Sequence, residues 1–280
     1  MITDKETDFV YFSKTLRQIE YRAFLENLEY ILKRKGVDYD LLSYTNDIWC
    51  RDYMPIQVSK DKFVQFKHDP IYPPATDAAE TCKDIGIEPV KSKIKLDGGN
   101  VVKSKTKAIM TKRVVYDNCD DERNRRLYRT SEDLINALRV LLEVDQVILI
   151  PVDKYDPFGH ADGMVRFLDG VDNEKDVLVK SGSKKELLSA LKEGGLNCLE
   201  TIPYDPDDSD GYLDASGIYI NYLQVSKTVI YPTYGNMKKD EEAHKIFSKH
   251  FGDNNVIAIP ANAIAREGGV LNCVSWNIRK

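Results

Sequence analysis

Residues 217–260 read GIYINYLQVSKTVIYPTYGNMKKDEEAHKIFSKHFGDNNVIAIP, and this stretch contains the clearest copy of the pattern that decides the fold. The segments 218–223 and 227–232 are rich in β-branched and aromatic residues and predict a β-hairpin. Residues 240–250 have the apolar spacing of an amphipathic helix, and residues 255–260 form a short apolar strand that ends at a proline. The predicted order is strand, strand, helix, strand, or ββαβ.

The same ββαβ order is predicted in four other parts of the chain. Three of these copies are continuous, and one is divided between the two termini, which would close a ring. The predicted elements are strands 56–58 and 63–66, helix 77–84 and strand 94–96; strands 101–103 and 108–113, helix 131–142 with Ser131 as N-cap and strand 146–151; strands 164–168 and 177–180, helix 184–193 and strand 196–203; and strands 9–12 and 270–276, helix 15–35 and strand 39–44.

Five units of about fifty residues, each covered by its neighbours, predict a closed radial arrangement of small mixed sheets with outer helices. An ordinary open α/β sheet built from the same elements is the alternative. The chain shows no linker, so we expect a single domain over residues 1–280.

Composition limits the classes of function. The chain is 42% hydrophobic and 30% charged, which is typical of a folded globular protein. Its net charge of -5 argues against nucleic acid as a partner, because phosphate-binding surfaces have an excess of Lys and Arg. The sequence shows neither a membrane-spanning apolar stretch nor a signal peptide, which predicts no membrane partner and a cytoplasmic location. Its five cysteines lack zinc-ligand spacing, and we expect mostly reduced thiols and no metal or other cofactor.

A short polar joint, usually with glycine, precedes the first strand of each unit. In a ring of repeats, equivalent joints lie at the same end near the axis, so we expect their side chains to surround one cavity. Cys273 is expected a few residues into the last strand, beside the same cavity. The joints are Arg51-Asp52, Asp97-Gly98-Gly99-Asn100, His160-Ala161-Asp162-Gly163, Asp214-Ala215-Ser216-Gly217 and Glu267-Gly268-Gly269.

Crowded carboxylates repel one another, so this cluster predicts a cationic ligand, a metal ion or a shared proton. The histidines lack metal-ligand spacing, which disfavours a metal. A guanidinium ion fits better, because it is planar, permanently charged and offers paired N–H groups to carboxylates. A cysteine thiolate beside a bound cation would be a strong nucleophile, and a histidine can transfer protons near neutral pH. We therefore expect a small-molecule guanidino substrate.

Other polar and sulfur-containing residues have simpler interpretations. Residues 205–211 have the acidic composition of a calcium loop, but the glycine stands at the seventh position instead of the sixth, so we interpret them as an exposed loop. Lone cysteines are usually core residues, and histidines without an acidic, glycine-bearing context receive no chemical role. The residues interpreted in this way are Cys50, Cys82, Cys119, Cys198, His68, His244 and His250.

Four segments together are highly specific: WCRDYMP at 49–55, LDGGN at 96–100, GHADGMVRF at 159–167 and EGGVLNC at 267–273. In this order they resemble the agmatine deiminase and bacterial peptidylarginine deiminase family, within the guanidino-group-modifying enzyme superfamily. The resemblance covers most of the chain. It implies a five-bladed pseudosymmetric α/β propeller of ββαβ units, which agrees with the repeat pattern.

The resemblance also implies roles for single residues. Cys273 would attack the guanidinium carbon, His160 would act as general acid and then base, and Asp52 and Asp162 would bind the guanidinium nitrogens. An amidino thioether on Cys273 would form with loss of ammonia, and water would then release a ureido product. The positions assigned to substrate binding are Trp49, Asp97, Asp156 and Gly269.

The exact substrate stays open at this level. Agmatine, and with it a role in putrescine biosynthesis, is favoured over free or peptide-bound arginine, but Met54, Asn272 and Ser275 depart from the family pattern beside the site. One alternative is an amidinotransferase that passes the amidino group to an amine. Another is a non-catalytic guanidinium-binding protein, which the thiol disfavours because binding alone would not require it. A homodimer is compatible with the sequence, which does not fix the oligomeric state.

Overall fold

Five three-stranded sheets form the framework of the computed structural model, which describes residues 1–70, 75–119, 126–204 and 213–280. In every sheet the middle strand pairs antiparallel with one neighbour and parallel with the other. A parallel pair requires a crossover connection, and in each unit a helix supplies it. The predicted ββαβ unit and the five-bladed α/β propeller are therefore confirmed.

The strands and helices have the following bounds. The strands are β1 (Phe9–Ser13), β2 (Asp38–Leu42), β3 (Ile56–Gln57), β4 (Phe63–Lys67), β5 (Val90–Lys95), β6 (Val102–Lys103), β7 (Lys107–Thr111), β8 (Gln146–Ile150), β9 (Val165–Phe167), β10 (Asp176–Lys180), β11 (Asn197–Ile202), β12 (Leu223–Val225), β13 (Thr228–Thr233), β14 (Val256–Pro260) and β15 (Ser275–Ile278). The helices are α1 (Arg22–Lys35), α2 (Cys50–Tyr53), α3 (Ala78–Asp84), α4 (Arg113–Cys119), α5 (Ser131–Leu142), α6 (Lys185–Glu193), α7 (Met237–Phe251) and α8 (Asn262–Ala265).

The two ends of the chain share one sheet. β15 pairs antiparallel with β1, placing Trp276 opposite Tyr11 and Ser275 opposite Phe12, and β1 pairs in parallel with β2. The predicted division of one unit between the termini is confirmed. The last strand thus closes the ring of sheets beside the first.

Helix α5 shows how local sequence sets an element. Its Leu134, Leu138 and Leu142 recur every four residues and are fully buried, so that they form one apolar face. The predicted N-cap, Ser131, is wrong by one position. Thr130 has the extended backbone of an N-cap, and its hydroxyl accepts a hydrogen bond from the backbone N–H of Asp133.

Several predicted boundaries differ from the structure near the axis. The strands predicted over 218–223 and 270–276 are mostly turns: strand pairing begins only at Leu223 and at Ser275. Their apolar side chains are buried because these segments pack around the axis, and a buried turn has the same apolar composition as a short strand. Cys273 consequently lies in a turn before β15 and not within it.

One predicted helix and the end of one predicted strand also differ from the structure. The helix predicted over 15–35 is divided into a 3-10 turn at Lys14–Arg17 and α1. Arg113, predicted to end a strand, begins α4. The serine side chain of Ser13 accepts a hydrogen bond from the Thr15 N–H and fixes the start of the 3-10 turn.

The core lies between each sheet and its helix. Leu28 of α1, for example, is fully buried in one cluster with Val10 and Phe12 of β1. Burial of such a side chain contributes about 1.5–3 kcal/mol to folding. Equivalent clusters cover every sheet. The loops at the ends of the inner strands therefore surround the central axis of the propeller.

Buried charges occupy the axis on the side away from Cys273. Asp4 accepts hydrogen bonds from Arg166 Nη2 at 2.7 Å and Asn277 Nδ2 at 3.0 Å, and Lys103 Nζ lies 3.4 Å from it. Burial alone would raise the pKa of Asp4, but the positive charges of Lys103 and Arg166 hold it well below its usual range. Asp4 therefore joins the inner strands of three units, β6, β9 and β15.

Two further points concern the whole chain. In the ranges that the structure describes, no helix is both long and apolar enough to cross a membrane. The loop interpreted at 205–211 lies outside the described residues. The single domain over residues 1–280 stays a proposal.

We expect Asp4→Ala to lower the free energy of unfolding by about 3–5 kcal/mol, because it leaves the buried charges of Arg166 and Lys103 without their carboxylate. Chemical denaturation followed by circular dichroism measures this loss. Asp172→Ala is the matched control, because Asp172 is exposed and lies 3.5 Å from the exposed Lys5. Equal stability of the two variants would contradict the structural role of Asp4.

Candidate active site

Cys273 is held by hydrogen bonds at the inner end of a cleft. Its Sγ lies 3.4 Å from Asn221 Oδ1 and 3.8 Å from Asp162 Oδ2. Its backbone N–H donates to Asn221 Oδ1 at 3.3 Å, and its carbonyl accepts from the Arg51 N–H at 3.1 Å. Three separate parts of the chain thus fix the position of Cys273.

Cys273, His160 and Asp162 line this cleft together. Of the five joints predicted to surround one cavity, those at 160–163, 214–217 and 267–269 contribute to this lining, whereas Asp52 and Asp97 line a neighbouring cavity that His160 also lines. The rest of the wall includes carboxylates, a lysine and aromatic rings: Asp153, Asp156, Asp214, Lys180, Tyr155, Phe158 and Tyr204.

His160 is positioned by three aspartates. Its backbone N–H donates to Asp156 Oδ2 at 2.9 Å, which fixes the loop. Its ring Nε2 lies 3.2 Å from Asp97 Oδ2, and its Nδ1 lies 3.7 Å from Asp52 Oδ1. Burial lowers the pKa of His160, but Asp52 and the hydrogen bond to Asp97 outweigh burial and raise that pKa to about 10. The imidazole is therefore protonated at neutral pH, the form required of a general acid.

Asp52 lies beside this imidazole and is itself buried. Its Oδ1 accepts the Gly99 backbone N–H at 2.9 Å. Burial raises the pKa of Asp52 to about 6, although the positive charge of His160 lowers it. A Cβ at position 99 would stand 2.6 Å from both Asp52 Oδ1 and His160 Nδ1, so only glycine lets the backbone approach this pair.

Asp162 lies between Cys273 and a buried asparagine pair. Its Oδ2 accepts a hydrogen bond from Asn272 Nδ2 at 2.6 Å, and the Asn272 N–H donates to Asn221 Oδ1 at 3.1 Å. Asn221 was not predicted as a site residue, because it was assigned to a strand. The signal was present as one amide side chain within the apolar run IYINYL.

His68 also belongs to the site, although the sequence analysis assigned it no chemical role. Its Nδ1 lies 2.6 Å from Asp97 Oδ1, and its side chain is 5% exposed. The position follows strand β4, whereas the other site residues precede strands, so no pattern in the sequence links His68 to them.

The four residues predicted to bind substrate divide into two pairs. Gly269 and Asp156 line the cleft, but Trp49 and Asp97 are absent from its lining as far as the chain is described. A Cβ at position 269 would stand 2.5 Å from the Trp49 ring and 3.0 Å from Cys273 Cβ, so Gly269 separates the two. Asp97 lies behind the imidazole of His160.

The charge of the thiol depends on the occupancy of the cleft. Burial raises the pKa of Cys273 well above its usual value, and the carboxylates of Asp162 and Asp52 raise it further, against a lowering by the Asn221 amide. The side chain of Cys273 is therefore a neutral thiol at neutral pH. A cation bound beside Asp162 would favour the thiolate.

The remaining cysteines and histidines lie away from the cleft. All five cysteines are free, and Cys198 is exposed on the outer strand β11, so its assignment to the core was wrong. His250 pairs with Glu200 at 2.6 Å, and His244 is partly exposed. No group of three or more His, Cys, Asp or Glu side chains is arranged to hold a metal ion within the described ranges.

Comparisons with known proteins agree with this architecture. Residues 19–278 match the family model of Porphyromonas-type peptidyl-arginine deiminases. The agmatine deiminase of Medicago truncatula is 26% identical over an alignment of 196 residues. The alignment covers 58% of this chain and 52% of that protein, so the match spans about half the length of the relative.

Two solved agmatine deiminases share the fold. The C. jejuni enzyme has a TM-score of 0.74 at 18% identity, with 100% of this chain and 95% of that chain covered. The Enterococcus faecalis enzyme has a TM-score of 0.75 at 16% identity, with the same coverage.

We expect Gly269→Ala to lower the free energy of unfolding by about 1–3 kcal/mol, because the new methyl group overlaps the Trp49 ring and presses on Cys273. Gly163→Ala in the same cleft is the control, since its Cβ would meet no atom within 4 Å. Denaturant unfolding of both variants measures the difference. A Gly269→Ala protein as stable as the control would show that the contact is loose.

We expect alkylation of Cys273 by iodoacetamide to accelerate steeply between pH 7 and 9, by up to about tenfold per pH unit, because the raised pKa keeps the thiol protonated at neutral pH. Mass spectrometry of the modified peptide in a Cys198→Ser background measures the rate. Asp162→Asn removes one carboxylate and should move the profile to lower pH. A rate independent of pH in this range would contradict the assigned charge state.

Proposed function

Because the chain belongs to the Porphyromonas-type peptidyl-arginine deiminase family, we propose that it hydrolyses a guanidinium group with Cys273 as the nucleophile. The predicted enzyme class, a deiminase, is confirmed by this family. The observation that carries the assignment to residues is that the thiol of Cys273, the imidazole of His160 and the carboxylate of Asp162 line one cleft.

Substrate binding follows from the charges of the cleft. A guanidinium ion beside Asp162 and Asp52 would present paired N–H groups to their carboxylates. Both carboxylates raise the pKa of the Cys273 thiol, so a bound cation would offset them and favour the thiolate. The substrate therefore helps to activate its own nucleophile, and the thiol proton leaves to solvent.

The first half of the reaction transfers the amidino carbon to sulfur. The thiolate of Cys273 attacks the guanidinium carbon, and a C–S bond forms. Protonated His160 then gives its proton to one nitrogen, the C–N bond breaks, and ammonia leaves. The product of this half is an amidino thioether on Cys273 with a neutral imidazole beside it.

The second half consumes water. Neutral His160 takes a proton from a water molecule, whose oxygen attacks the amidino carbon. The C–S bond then breaks, which returns the thiolate of Cys273 and releases a ureido product. The sum is guanidinium plus water to ureido product plus ammonium, and the proposed steps need no cofactor.

Agmatine is the substrate we favour over free or peptide-bound arginine. The Medicago truncatula relative carries this substrate in its name. The outer wall of the cleft bears the carboxylates of Asp153, Asp156 and Asp214 against the ammonium group of Lys180, which pairs with Asp153 at 2.7 Å. This excess of negative charge suits the amine at the far end of agmatine. A cytoplasmic location and a homodimer stay predictions.

We expect the protein to release ammonia and a ureido product from agmatine, and Cys273→Ser to reduce the rate at least about a thousandfold. The assay scores both products with agmatine, arginine and an arginine peptide as separate substrates. Cys198→Ser is the matched control, because this thiol is exposed and lies on an outer strand.

Three experimental outcomes would contradict the proposed covalent hydrolysis. Equal activity of the parent and Cys273→Ser would exclude the covalent mechanism. A new guanidine formed from an added amine would indicate amidino transfer. Binding of agmatine without turnover would indicate a guanidinium-binding protein.

A further inference from the structure

Two imidazoles hold the carboxylate of Asp97, one on each oxygen. His68 Nδ1 lies 2.6 Å from Oδ1, and His160 Nε2 lies 3.2 Å from Oδ2. We propose that His68 is a positioning residue for the deiminase reaction, which orients Asp97 and limits how strongly Asp97 holds the proton of His160. This inference rests on the proposed function, because it assigns His68 to a reaction in which His160 is acid and then base.

The geometry restricts Asp97 to one orientation. The His68 side chain is buried, and its ring packs edge-on against the Tyr53 ring at 6.3 Å between centroids. Rotation of the carboxylate would break the hydrogen bonds to both rings. The ring of His68 therefore fixes Oδ2 toward His160.

The proton of His68 stands on Nδ1, facing Asp97. Its Nε2 is buried, with no hydrogen-bond partner in the described structure. An N–H at Nε2 would lack an acceptor, which disfavours the doubly protonated ring, whereas the bond to Asp97 raises the pKa of His68 against burial. In either protonation state Nδ1 donates its N–H to Asp97.

This donation changes the strength of the pair between Asp97 and His160. Burial would raise the pKa of Asp97, but the hydrogen bonds from His160 and His68 hold it well below its usual range. A carboxylate that already accepts one strong hydrogen bond carries less charge for a second donor. Without His68, Asp97 would hold the His160 proton more strongly, so a smaller fraction of His160 would be neutral and able to accept a proton from water at a given pH.

Other charged groups surround His68, Asp97 and His160 and act on the proton of His160. The groups that face the three residues or line the adjoining cavity are Asp47, Asp52, Asp156, Asp69, Lys95, Arg113 and Asp117. Among these, only Asp52 and Asp156 contact His160 directly, and His68 acts on Asp52 through its charge and not through a hydrogen bond. The Asn and Gln variants both remove the imidazole, so a difference between them can be assigned to the hydrogen bond to Asp97.

The test compares two amides that place their nitrogen differently. The side-chain nitrogen of His68→Asn stands where Nδ1 stands, so it can donate to Asp97, whereas that of His68→Gln stands near the Nε2 position and cannot. We expect His68→Gln and His68→Ala to raise the pKa of His160 by about one unit, and His68→Asn to leave it close to the parent value. Nitrogen-15 NMR titration of the imidazoles without substrate measures this pKa, and it does not depend on turnover.

The kinetic experiment measures the pH dependence of kcat for the same variants with agmatine as substrate. We expect the limb of the kcat profile that reports neutral His160 to move to higher pH in His68→Gln and His68→Ala, with a loss of about tenfold in kcat at pH 8. His68→Asn should recover the parent profile. His250→Asn, which breaks the comparable pair with Glu200 at the surface, is the control and should shift nothing.

An unchanged His160 pKa in folded His68→Gln would overturn the inference, as would equal shifts in the Asn and Gln variants. Because the NMR titration needs no substrate, failure of the deiminase assay with a shifted His160 pKa would count against the proposed function alone.

Discussion

The antiparallel pairing of β15 with β1 is the constraint on which the site depends. It closes the ring of five sheets, and it places the turn containing Cys273 at the axis, two residues before Ser275. The same closure brings Asn277 into hydrogen bonds with Asp4 and Thr7 from the start of the chain. Residues separated by most of the sequence therefore surround a single cavity.

Charge is distributed unevenly along this axis. The cations Arg51, Lys103 and Arg166 surround Asp4 and Asn277 on one side, and the thiol with its carboxylates lies on the other. Asp162 lines the cavities on both sides and stands at the boundary.

Much of the fold could be predicted from the sequence, because each unit repeats one order of apolar segments. Helix 131–142 and strand 146–150 agree with prediction, since they are amphipathic or bounded by clear end signals. The turns at 218–222 and 270–274 could not be distinguished from strands, because burial at the axis gives them the same composition. His68 was missed because its connection to Asp97 spans 29 positions and arises only when β4 and β5 pair in parallel.

The charges of the site favour a general acid over a nucleophile. The raised pKa values of Cys273 and His160 keep the thiol neutral and the imidazole protonated. In the mechanism we propose, a guanidinium cation would make the thiolate of Cys273 more favourable because it would offset the charges of Asp52 and Asp162, whereas a neutral amide or urea of similar shape would not. Discrimination for cations would then lie in the activation of Cys273 as well as in binding, so that a neutral analogue would lose rate even where it fits the cleft.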